Sequence, residues 1–78
     1  MSTILVRSFN RWIGWALGDL AHVAGRDTPR SRRAGLQSIK PSVTNALRFA
    51  NAMGCPARKA MCLRVLNWLN AEIRRLPA

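Results

Sequence analysis

Apolar residues recur along this chain at helical spacing. Leu5, Phe9, Trp12, Ala16, Leu20 and Val23 follow one another at steps of three and four, with Ile13, Leu17 and Ala24 widening the stripe up to Gly25. Such a stripe lies on one face of an α-helix, and with Ser2 or Thr3 as N-cap and Gly25 as the stop it predicts a first helix over 3–24. A second stripe of Val43, Ala46, Leu47, Ala50 and Met53 starts after Pro41 and Ser42 and ends at Gly54, which predicts a helix over 42–53. Pro56 suits a first helical position, and Cys62, Leu66, Leu69, Ile73 and Leu76 then alternate steps of four and three up to Pro77. That spacing predicts a third helix over 56–76.

Between the first two stripes, Gly25 to Lys40 carries Arg26, Arg30, Arg32, Arg33 and Lys40 together with Pro29 and Gly35, and has no period. It reads as a basic loop with at most a short turn at Leu36 to Ile39. Strand alternation, internal repeats and low-complexity segments are missing from the pattern. The expected fold class is therefore all-α: one domain, a small three-helix bundle with long first and last helices and a basic loop between helices one and two.

Length and composition narrow the options. A domain of 78 residues buries roughly 60 to 65% of its unfolded surface, which favours a surface site over an enclosed pocket. An apolar share of 49% argues against disorder. Charge changes the picture most: thirteen Lys and Arg face only Asp19, Asp27 and Glu72, a formal net charge of +10. Such a surface seeks phosphate, anionic lipid or an acidic protein face.

Cys55 and Cys62 would lie about 10 Å apart along one helix, too far to bridge, and so read as reduced thiols of a cytoplasmic protein. Arg7 and Arg11 interrupt the first apolar stretch, so neither a signal peptide nor a transmembrane span is expected. The absence of acids before Asp19 also fits an amphipathic transit peptide, a reading that the small size of the chain disfavours.

Candidate catalytic chemistry is sparse. Asp19 and His22 are close enough in sequence to pair, and a hydrogen-bonded surface pair is the expected arrangement rather than a catalytic dyad. Cys55, Cys62 and His22 match no common zinc spacing and lack a fourth ligand, and there is no glycine-rich phosphate loop. No enzyme activity, metal or cofactor is expected. Cys62 belongs to the core stripe, and Cys55 stands where it would cap helix three or lie exposed.

A helix-turn-helix alignment over Ala46 to Val65 places Phe49, Ala50, Met53 and Gly54 well. It also requires Ala60 and Leu63 to turn inward, against the phase centred on Leu69 and Ile73, and is set aside on that conflict.

Two polar faces remain. Opposite the stripe of helix one lie Arg7, Arg11, Gly14, Trp15, Gly18 and His22, where two helix-interior glycines and an out-of-phase Trp indicate a close approach by helix three, by the basic loop or by a partner. Arg64, Asn67, Ala71, Arg74 and Arg75 lie opposite the stripe of helix three, a composition able to contact phosphates and base edges.

The leading expectation is a small nucleic-acid-binding or regulatory protein, with Arg26, Arg30, Arg32, Arg33 and Lys40 on phosphates and helix one or three along a groove. The alternative is an interaction module or inhibitor docking on an acidic protein surface with Trp15 as anchor. Trp12, Trp15, Arg7 and Arg11 give a weaker case for membrane-surface association, because Trp15 lies off the apolar face. Self-association stays open at this level.

Overall fold

The computed structural model describes residues 3–77. Among them are three helices and no strand: α1 spans Thr3–Ala24, α2 Pro29–Met53 and α3 Pro56–Arg75. The all-α bundle expected from the pattern is present, with α1 and α3 close to their expected limits. Ser2, one of the two expected N-caps of α1, lies outside the described residues.

The correction concerns α2. The stretch read as a basic loop is the first half of this helix, and only Gly25 to Thr28 connect α1 to α2. Thr28 is the N-cap, extended at φ −113 and ψ 146, and its hydroxyl accepts from the Ser31 N–H at 3.1 Å. Pro29 occupies the first helical position, where its missing N–H is no loss.

The helix then runs through Pro41, which leaves the Gln37 carbonyl without its i+4 donor and costs about 3 kcal/mol. Leu36, Ile39 and Val43 are buried on the opposite side of the helix. At roughly 1.5 to 3 kcal/mol for each such side chain, they offset the interruption. The ring itself is exposed.

Each end has a backbone cause. α1 closes in i→i+3 bonds, Gly25 N–H to His22 O and Arg26 N–H to Val23 O. α2 ends at Gly54, which sits at φ 63 and ψ 38, while the Cys55 N–H reaches back to Ala50 O at 3.1 Å. That left-handed position suits glycine. α3 begins on Cys55 and Pro56 and ends where the Leu76 N–H meets Glu72 O.

α2 is the central element. Short connections make it antiparallel to both neighbours, so α1 and α3 run in the same direction on either side of it. Both pack on α2, yet no Cα of α1 comes within 8 Å of a Cα of α3. The molecule is correspondingly long and narrow, 42 × 18 × 14 Å.

The core joins Phe9, Ile13, Ala16 and Val23 of α1 to Leu36, Ile39, Val43, Ala46 and Ala50 of α2 and to Cys62, Leu69 and Ile73 of α3. At Gly35 a Cβ would fall 2.6 Å from Val23 Cγ2, so glycine allows this approach of α2 to α1. At the other end, the Arg58 guanidinium lies 5.5 Å above the Phe9 ring and joins α3 to α1 through side chains.

Candidate nucleic-acid interface

The arginines expected on a loop have different tasks in the folded chain. The C-termini of α1 and α3 and the N-terminus of α2 meet at one end of the bundle, which gathers Arg26, Arg30, Arg32, Arg33, Arg74 and Arg75. Arg26 donates to Ser31 O and Arg32 to Arg26 O, both at 3.2 Å, so the two close the α1–α2 turn.

Arg33 is half-buried and donates through Nε to Ile73 O at 3.2 Å. That carbonyl lies in the last turn of α3, where orphan acceptors and the negative end of the helix dipole favour a cation. Arg75 pairs with Glu72 at 2.7 Å, and this hydrogen-bonded contact holds the Glu72 carboxyl below the usual carboxylate range. All four thus have partners within the chain. Arg30 and Arg74 are exposed and have no hydrogen bond or ion pair among the described residues.

The structure adds a surface that the sequence reading missed. Because α1 and α3 cover one side of α2, its other side forms an outward ridge, with Arg30, Gln37, Pro41, Thr44 and Arg48 exposed and Asn45 half-exposed. Gln37, Lys40, Pro41, Thr44, Asn45 and Arg48 line a shallow depression along it.

Arg30, Lys40 and Arg48 make no ion pair or hydrogen bond through their side chains among the described residues, and the 25 residues of α2 include no acid. The Thr44 hydroxyl donates to Lys40 O at 2.9 Å. At about 1.5 Å per residue, Arg30 and Arg48 stand roughly 27 Å apart. The i, i+4, i+8 spacing of Lys40, Thr44 and Arg48 is the sequence signal that would have located this ridge had the helix been extended past Pro41.

The remaining expected residues lie elsewhere. Arg7, Arg11 and Trp15 are exposed on the outer face of α1, and Arg64 on that of α3, so the eleven expected residues do not form one patch. Trp15 is 54% exposed and meets Trp12 edge to face at 5.1 Å. A Cβ on Gly14 or Gly18 would find nothing within 4 Å. Neither α3 nor the α1–α2 connection covers this face, so of the approaches considered the two inside the chain are not made.

Asp19 and His22 form no hydrogen bond or ion pair among the described residues, so the expected surface pair is not made. No group of three His, Cys, Asp or Glu among the described residues could hold a metal ion.

Cys62 is fully buried, and its thiol is pushed above its ordinary pKa by desolvation. Cys55 is half-exposed at the start of α3; it makes no capping hydrogen bond of standard geometry, yet the Arg58 backbone N–H and then its guanidinium, 3.5 Å from Sγ, hold the thiol below its ordinary value. Leu63, which a helix-turn-helix would bury, is 41% exposed.

No helix among the described residues is long and apolar enough to cross a membrane. The chain matches no family model, no curated protein and no solved structure.

Proposed function

We propose that this protein binds nucleic acid through the outward ridge of α2, as a small helical regulator without catalytic activity of its own. The observation that carries the reading is a 25-residue helix free of acids, with Arg30, Lys40 and Arg48 unpaired along its exposed side and Gln37, Thr44 and Asn45 between them. Lys and Arg hold phosphates and set register, while Gln and Asn have the donor and acceptor pairs that read adenine edges. A major groove about 12 Å wide admits one helix, and the exposed side of α2 is the one offered to it. A cytoplasmic setting with both thiols reduced fits this reading.

Fluorescence anisotropy with a labelled duplex of about two helical turns tests it across a salt series. Each phosphate contact contributes about −0.9 to the log-log slope, so replacing Arg30, Lys40 and Arg48 together by Gln should flatten the slope by up to about 3. No binding at ~0.05 M salt, or an unchanged slope in the triple variant, would overturn the reading. The competing function is docking on an acidic protein, favoured by the exposed Trp15 beside Arg11 and Arg7; it takes precedence if no duplex or single strand binds.

A further inference from the structure

The side of the bundle away from the α2 ridge has the opposite character. Where α1 and α3 fail to close on each other, a cleft of about 190 Å³ opens, lined by Leu20, Val23 and Ala24 of α1, Leu36 of α2 and Trp68 and Leu76 of α3. Arg32, Arg75 and Glu72 complete its lining. Trp68 is 48% exposed. Two turns earlier on the same faces stand Leu17, in line with Ala24 and 50% exposed, and Met61, in line with Trp68 and 38% exposed. The apolar strip thus continues along the axes of both helices.

We propose that this cleft is a docking groove for an acidic amphipathic helix of a partner protein. Its volume lies below the roughly 300 to 1,000 Å³ of small-molecule sites, so it is suited to side chains from a helix laid along it. Two parallel helices with an apolar strip between them lack the fourth member that would complete a bundle, and an incoming helix with apolar residues at i, i+3, i+4 and i+7 supplies it.

Charge decides the partner's chemistry. Glu72 is the only acid in the lining and is already held by Arg75. Arg32 bonds only a carbonyl there, and Arg64 stands one turn from Trp68. A second copy at net charge +10 would bring cation against cation, whereas Glu or Asp flanking the partner's apolar stripe would meet these arginines. The groove and the ridge of α2 lie on opposite sides of the molecule, so the two can be occupied independently.

The test is titration of the full chain with a labelled peptide of about 20 residues, long enough to form a helix, with Leu on one stripe and Glu on the others. Controls are a scrambled peptide of equal charge and a peptide with Lys for every Glu. The acidic amphipathic peptide should bind, and Trp68→Ala should weaken it by at least about tenfold. Leu17→Glu, at an exposed position that leaves the core intact, should do likewise, and Trp15→Ala should have no effect.

The Arg30, Lys40 and Arg48 triple variant should bind the peptide normally even where it loses duplex binding, which separates this proposal from the previous one. Equal binding of the scrambled or Lys peptide, full affinity in both groove variants, or a dimer in sedimentation that Trp68→Ala disperses would each overturn it.

Discussion

Arg30 and Arg33 stand about one turn apart in α2 and meet different surroundings. Arg33 reaches a last-turn carbonyl of α3, whereas Arg30 projects into solvent. A charged donor on a half-buried carbonyl contributes about 1 to 2 kcal/mol after discounting for exposure, and an unpartnered surface arginine within about 0.5. Urea denaturation should therefore show Arg33→Ala lowering the midpoint and Arg30→Ala leaving it nearly unchanged; equal losses would refute the assignment.

The cysteines divide in the same way. With Cys55 held below its ordinary pKa by Arg58 and Cys62 buried and raised, brief alkylation of the folded chain should label Cys55 alone. A lowered pKa means that thiolate forms at lower pH, so the rate should begin to rise below the range of a free thiol, and Arg58→Ala, which removes the guanidinium but keeps the backbone N–H, should move that rise part of the way to higher pH. Mass spectrometry of the adducts reads both effects.

At the scale of elements, Pro41 separates local rule from tertiary outcome. Its ring is exposed, but its missing N–H interrupts α2 at Gln37. Pro41→Ala restores that bond and removes the ring's crowding of the Gln37 carbonyl, together worth about 3 kcal/mol, and loses at most about 1 of restraint on the unfolded chain, so stability should rise by roughly 2 kcal/mol. Thermal unfolding followed by circular dichroism should show a higher midpoint. A lower one would mean that α2 does not continue through residue 41.

The charge belongs to the whole molecule. The described residues include one ion pair, Arg75 with Glu72, and Asp19 and Asp27 neutralise no cation at contact distance. In a body only 18 × 14 Å in section, positive charges on all faces repel one another within the ~30 Å Debye length of 0.01 M salt and are largely screened at the ~10 Å of 0.1 M. Adding salt should therefore raise the melting temperature, whereas a surface of balanced ion pairs would show no gain or a loss. Strong salt stabilisation of the protein together with salt-weakened duplex binding would be two consequences of the same uncompensated field.

Read alone, the chain determined what its periodicity and stop signals encode. Those include the limits of α1 and α3, the turn at Gly54, the inward set of Phe9, Ala16, Val43, Cys62 and Leu69, and the excess of cations. These are local properties, set by spacing at 3.6 residues per turn and by the backbone preferences of glycine and proline.

The start of α2 was partly written as well, in Thr28 followed by Pro29, but Gly35 and Pro41 read locally as breakers. Only the tertiary structure makes Gly35 the point where Val23 packs and shows Pro41 facing solvent over a buried stripe. It likewise gave Arg26, Arg32 and Arg33 hydrogen-bond partners within the fold and exposed Arg48 on a ridge. It also left α1 and α3 apart, with Trp68 between them. Which side chains meet depends on how helices are placed around one another, and one-dimensional spacing carries no information about that placement.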